Sequence, residues 1–249
     1  MNCISGISTY INSLVFVPPK TNLHYINKLP PRCESFFVRT QTYSIHCLLC
    51  TSAKPSERII IFSHGNASDN STMLSYLKYL SDNLALNVIG YDYLGYGLSV
   101  GEPNEDNCYT SLYNVVKYAT SELNFKQPDI FLMGQSLGTG VVINFAYRHK
   151  WKTSIILISP FKSVVSIKLP YSRMLSCIDI FTSITKIQYL RCNVKFFHGQ
   201  NDDLIPLDHS IELYKLLSYK FLKPTWLKNC GHNDILSKID LNDIKNVIN

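Results

Sequence analysis

The chain has 249 residues, 46% of them hydrophobic and 17% charged, with a formal net charge of +6. That length and apolar content can bury one sizeable core, and the absence of repeats, low-complexity tracts and long charged runs excludes a fibrous or tail-like protein. The positive charge is modest and forms no basic stripe with interleaved aromatics, so nucleic acid is not an expected partner, while contact with an anionic lipid surface is compatible with it.

In chain order, Ile4, Ile7, Ile11, Leu14 and Val15 come first, at helical spacing. A helix lying on a membrane would carry lysine or arginine on its polar face; here there is none, and a helix packed on the protein body is expected. Residues 1–32 thus read as an N-terminal segment that precedes or packs on a main domain over 33–249. Residues 35–40 and 44–50 read as a leading antiparallel hairpin. Short apolar runs follow at 59–62, 88–91, 130–133, 154–158 and 194–197, and they suit strands covered on both faces. Helical stretches at 71–83, 107–123, 137–149, 208–218 and 235–248 alternate with them. The expected class is α/β, a mainly parallel sheet with helices on both faces. Residues 225–227 form a further apparent strand, and residues 161–186 are the one irregular insert.

The eight cysteines are scattered and form no disulfide framework. The first basic residue is Lys20, and the early apolar stretch is broken by Ser5, Ser8, Thr9, Asn12 and Ser13, so no secretory signal is expected. No apolar run approaches the ~20 residues of a spanning helix. A cytoplasmic location with reduced thiols, open to peripheral membrane contact, is the resulting expectation. Cys47-x-x-Cys50 lacks a second ligand pair at matching spacing, so neither metal nor cofactor is implied.

The chemistry centres on Gly134-Gln135-Ser136-Leu137-Gly138. The pentapeptide recurs by chance, so its context decides: a strand-like run precedes it and a buried helix follows. In that setting it forms a nucleophile elbow, a sharp turn lifting the serine hydroxyl above the sheet. A serine needs a base, and the base needs a partner that holds its tautomer. Strand 194–197 leads into Gly199-Gln200-Asn201-Asp202-Asp203, and Gly231-His232 lies between strand 225–227 and the last helix. The order Ser136, Asp202, His232 is that of α/β-hydrolases. Asp202 is favoured over Asp203 by its offset in the Gly-x-x-Asp turn. His64-Gly65-Asn66 follows strand 59–62, and the backbone N–H groups of Asn66 and Leu137 are the expected oxyanion donors. His64 then orders its loop, Asp92 takes a structural hydrogen-bonding role, and His24, His46, His149, His198 and His209 are surface or structural.

His64-Gly65-Asn66-Ala67, Tyr91-Asp92-Tyr93-Leu94-Gly95-Tyr96-Gly97-Leu98-Ser99, Gly134–Thr139 and Gly231-His232-Asn233-Asp234 together resemble the α/β-hydrolase-domain-containing protein 17 family. The likeness runs from about Leu14 to the C-terminus and includes Phe16-Val17-Pro18-Pro19 and Ser159-Pro160. It implies an α/β-hydrolase fold and a serine hydrolase that removes palmitate from cysteine thioesters on membrane-associated proteins, with its triad at Ser136, Asp202 and His232. Two departures stand out: the family's N-terminal cysteine cluster is reduced to Cys3 in the first thirty residues, and the stretch 161–187 is less similar than the rest. An insert at about 160–187 is expected to form a cap over the serine, and its apolar residues, among them Phe161, Val164, Ile167 and Phe181, suit an acyl groove. The expected substrate is an acylated protein or a lipid ester, with a lipase or esterase of small-molecule or lipid acyl esters as the alternative and a non-catalytic binding protein on the same scaffold as a third reading.

Overall fold

The computed structural model describes residues 12–13, 15–168, 179–219 and 221–248. Its centre is an eight-stranded sheet of β1 (Cys33–Arg39), β2 (Ser44–Cys50), β3 (Ile59–Ser63), β4 (Asn87–Tyr91), β5 (Ile130–Gln135), β6 (Ile155–Ile158), β7 (Val194–Gly199) and β8 (Thr225–Leu227). The spatial order is β1-β2-β4-β3-β5-β6-β7-β8. The hairpin β1–β2 and the β2–β4 pair are antiparallel, and the remaining pairs are parallel.

The helices are α1 (Asn70–Leu84), α2 (Glu105–Ser121), α3 (Leu137–Arg148), α4 (Val164–Lys168), α5 (Ser183–Lys186), α6 (Asp208–Leu216), α7 (Ile235–Lys238) and α8 (Leu241–Ile248). Alternation along the central strand shows why the strands read as unbroken apolar runs. Ile59 and Ile61 pack with Leu112, Val141, Val142 and Leu213 on one face, whereas Ile60 and Phe62 pack with Leu77, Leu80, Ile235 and Ile244 on the other. Both faces are covered, so neither set of side chains can be polar. The same alternation separates Cys47 from Cys50: they belong to opposite faces, and Cys50 Sγ instead lies 2.7 Å from Cys33 Sγ in the adjacent strand.

Helix boundaries follow local capping. Asp69 closes a capping box with Thr72 ahead of α1, and Asn104 Oδ1 accepts from the Asn107 N–H, which starts α2 two residues before the expected position. The single helix expected over 235–248 is divided. Ile239 is extended (φ −68°, ψ 124°), and Asp240 Oδ1 accepts from the Asn242 N–H to begin α8.

Ile4, Ile7, Ile11 and Leu14 lie outside the described residues; of that apolar set, Val15 packs against the core. Residues 169–178 of the insert also lie outside them. Its described flanks pack along α3, where Phe181 is fully buried and meets Gly140, and Phe161 is 1% exposed. Both rings therefore belong to the core, and neither is free to line a groove.

A buried knot ties the antiparallel edge to the parallel body. Asp92, just past β4, accepts at Oδ2 from His46 Nδ1 (2.7 Å) and the Leu98 N–H (3.1 Å), and at Oδ1 from the Asn70 N–H that opens α1 (2.7 Å). Gly97, at φ +53°, is required here, since a Cβ would fall 2.1 Å from Asp92 Oδ2. His46 is fully buried and lies 2.8 Å from Ser35 Oγ through Nε2, a structural position. Asp92→Ala would take the acceptor from three donors, two of them buried, so an unfolding free energy lower by about 3 kcal/mol is expected in urea denaturation; an unchanged midpoint would refute the importance of the knot.

Candidate active site

Parallel register gathers the C-terminal ends of β3, β5 and β7 on one edge of the sheet, with Ser63 opposite Gly134 and Gly199 opposite Leu227. The loops that follow these strands share that edge, the usual place for a site in such sheets.

Ser136 joins β5 to α3 at φ +51° and ψ −118°. A non-glycine residue there costs of order 1–3 kcal/mol and persists only when its surroundings enforce it. The enforcement is visible. The Ser136 N–H donates to Ile158 O (2.9 Å), and Ser136 O accepts from the N–H (2.9 Å) and Oγ1 (2.6 Å) of Thr139. The flanking glycines are steric requirements: a Cβ on Gly134 would lie 2.5 Å from Gly138 O, and one on Gly138 would lie 2.1 Å from Ser63 O.

His232 Nε2 stands 3.1 Å from Ser136 Oγ, and His232 Nδ1 stands 2.7 Å from Asp202 Oδ2. With Nδ1 donating to the carboxylate, Nε2 is left as the acceptor facing the serine hydroxyl. Asp202 Oδ1 accepts the N–H groups of Leu204 (3.1 Å) and Ile205 (2.7 Å). Burial raises the Asp202 carboxyl, but the hydrogen bonds from His198, His232 and the Ile205 N–H outweigh it and hold the group well below the usual carboxylate range. Its stabilisation is thus present above the ordinary carboxylate pKa and is lost as the pH falls below that range. Asp203 is exposed, so the two adjacent carboxylates have different surroundings.

His198 received no functional weight in the sequence, yet it is fully buried beside the acid. Its Nε2 lies 2.8 Å from Ile205 O and 3.3 Å from Asp202 Oδ2, and its Nδ1 lies 2.6 Å from Ser210 Oγ. The available signal was its position at the end of β7, four residues before Asp202.

The backbone of the β3–α1 loop runs against the serine: a Cβ on Gly65 would meet Ser136 Cβ at 3.7 Å. Asn66 is the next residue. Leu137 opens α3, where first-turn amides have no intrahelical acceptor. Both amides expected to face an oxyanion are therefore near the Ser136 turn. His64 is buried, which lowers its pKa and keeps the ring neutral; its Nδ1 lies 2.8 Å from Gly65 O within the loop.

A family model described as "Serine aminopeptidase, S33" matches residues 54–186, which include Ser136 but neither Asp202 nor His232. The chain is 37% identical over 98% of its length to "Putative alpha/beta hydrolase L404" of Acanthamoeba polyphaga mimivirus, covering 94% of that protein. It is 34% identical over 81% of its length to human alpha/beta hydrolase domain-containing protein 17C, and this match spans 61% of the human protein. Among solved structures, the Pyrococcus furiosus esterase Pf2001 superposes with a TM-score of 0.70 at 15% identity, covering 92% of this chain and 96% of that one. Est1E of Butyrivibrio proteoclasticus with ferulic acid gives 0.68 at 16% identity, covering 86% and 96%. Likeness at that identity concerns the fold alone.

Gly138→Ala is expected to disrupt the turn, because the new methyl group would collide with the backbone of β3. Loss of soluble protein or a markedly lower thermal midpoint is the anticipated result; a wild-type midpoint would show that the close approach is not needed.

Proposed function

This chain belongs to the α/β-hydrolase family, and we propose that it is a serine hydrolase of acyl esters and thioesters, with long-chain S-acyl groups on protein cysteines as its substrate. The observation that carries the hydrolase reading is the continuous path from Ser136 Oγ through His232 to Asp202, at 3.1 and 2.7 Å.

In this mechanism His232 Nε2 takes the hydroxyl proton as Ser136 Oγ attacks the acyl carbonyl. Asp202 orients the ring and stabilises the imidazolium. The Asn66 and Leu137 amides hold the oxyanion. Collapse of the tetrahedral intermediate breaks the bond to the alcohol or thiol, which leaves with the proton from His232. Water then loses a proton to His232 as it attacks the acyl-enzyme, and collapse of the second tetrahedral intermediate, with that proton passing from His232 to Ser136 Oγ, releases the acid and free Ser136. A thiolate leaves readily, so a thioester makes lower demands on the general acid than an amide does.

The acyl-protein substrate is supported by the likeness to the protein 17 family, and the net charge of +6 suits an anionic membrane surface where acylated proteins reside. Among the described residues no helix is long and apolar enough to cross a membrane, so contact with that surface would be peripheral. One observation favours a second reading, a small-molecule esterase: Phe161 and Phe181 are consumed by the core and leave less of the insert for a long chain.

Ser136→Ala is expected to abolish turnover and fluorophosphonate labelling while the fold survives, a loss of about 10^3-fold or more. Unchanged hydrolysis of an aryl ester by the folded variant would exclude Ser136 as the nucleophile. Asp202→Asn should lower kcat by a comparable factor and Asp203→Asn by little, because only the former holds the His232 tautomer; the opposite ranking in kcat would move the acid by one residue. Across acyl chains from two to sixteen carbons, KM should fall with length, each buried methylene contributing about 0.8 kcal/mol. A maximum at the short end without thioester cleavage would leave the esterase.

A further inference from the structure

The end of β3 and the loop that carries Asn66 are held by a ladder of tyrosines from the last residue of β4 and the segment after it. Tyr91 Oη and Ser63 Oγ are 2.6 Å apart, Tyr93 Oη donates to His64 O (2.7 Å), and Tyr96 Oη donates to Asn66 Oδ1 (2.6 Å). All three tyrosines are buried. Burial also pushes the Tyr93 and Tyr96 hydroxyls far above their ordinary range, so they remain O–H donors.

The last rung meets a second element. The Val17 N–H donates to the same Asn66 Oδ1 (3.0 Å), and Asn66 Nδ2 donates to Val15 O (2.6 Å). Residues 15–17 thus strap the side chain of Asn66 from outside. Between those two contacts Phe16 is buried, its ring 6.0 Å from that of Phe181. Phe181 in turn packs on α3 at Gly140, one turn beyond Leu137. One short strap therefore holds the loop that carries Asn66 directly and reaches α3, which carries Leu137, through Phe181.

An oxyanion donor is effective only if it is already aimed when charge develops. Gly65 confers backbone freedom just before the Asn66 amide, and the triad supplies nothing to restrain it. We propose that Tyr96, the Asn66 carboxamide and the strap at residues 15–17 are positioning groups that fix the Asn66 amide in the oxyanion hole. The strap then sets turnover from outside the triad, and lifting it loosens the donor while Ser136, His232 and Asp202 stay in place. This rests on the hydrolase reading above, in which Ser136 is the nucleophile and the Asn66 N–H an oxyanion donor.

The test uses the full chain with Tyr96→Phe, which removes only a hydroxyl, Phe16→Ala, which loosens the strap, and the double variant. Each is measured for kcat and KM on an aryl ester, for affinity toward a trifluoromethyl ketone that forms a tetrahedral oxyanion on the serine, and for thermal midpoint. Tyr96→Phe is expected to lower kcat and ketone affinity together by about 10-fold, a fraction of the loss from deleting a donor outright, with KM within about twofold. Phe16→Ala should do the same, and the double variant should fall short of the product of the two because both act through Asn66. Lower midpoints with unchanged kcat and ketone affinity would make these groups merely structural and overturn the inference alone. Absence of fluorophosphonate labelling in the wild-type protein would overturn the hydrolase reading, and this inference with it.

Discussion

The left-handed backbone of Ser136 is the constraint on which the site depends. A serine at φ +51° is unfavourable in isolation, so the turn exists only because its neighbours leave no alternative. Gly134 and Gly138 permit the approach of α3 to β3 that a methyl group would block, and Ile158 O and Thr139 anchor the turn from either side. The β3–α1 loop also lies against Ser136, so the turn and that loop are packed together at one edge of the sheet.

Two buried aspartates in this protein show how similar parts reach different ends. Ser35, His46 and Asp92 form a chain with contacts of 2.8 and 2.7 Å, much like Ser136, His232 and Asp202. Ser35, however, lies in the regular strand β1, with no left-handed turn to project its oxygen. Asp92 also spends its other lone pairs on the Asn70 and Leu98 amides, which makes it a junction between β4, α1 and the following loop. The distinction lies in the backbone around the serine, since the side-chain distances are nearly the same.

Asp202 combines both tasks. The amides of Leu204 and Ile205 and the neighbouring His198 keep it ionised in a buried place, which lets it accept the His232 N–H without competing for its proton. Around the β3–α1 loop a comparable division holds. Hydroxyls of Tyr91, Tyr93 and Tyr96 serve the loop, while their rings fill the core beneath it, so polar restraint and apolar packing come from the same residues.

The sequence alone determined the α/β alternation, because strands buried on both faces must be apolar throughout, and it marked the elbow, because only glycine fits at 134 and 138. These are local demands of backbone and burial, and they leave a local trace. What the tertiary structure decided were relations between distant segments. His198 beside Asp202, the tyrosine ladder, the strap of residues 15–17 on Asn66 and the placement of Phe161 and Phe181 in the core each join elements that are adjacent only after the sheet has ordered its strands. The break in the 235–248 helix was local, but its signal, Asp240 recapturing a backbone N–H, competed with an apolar periodicity that continued through it. A hydrogen bond across the fold imposes no spacing on the chain, so its partners have no pattern to be read until packing brings them within 3 Å of each other.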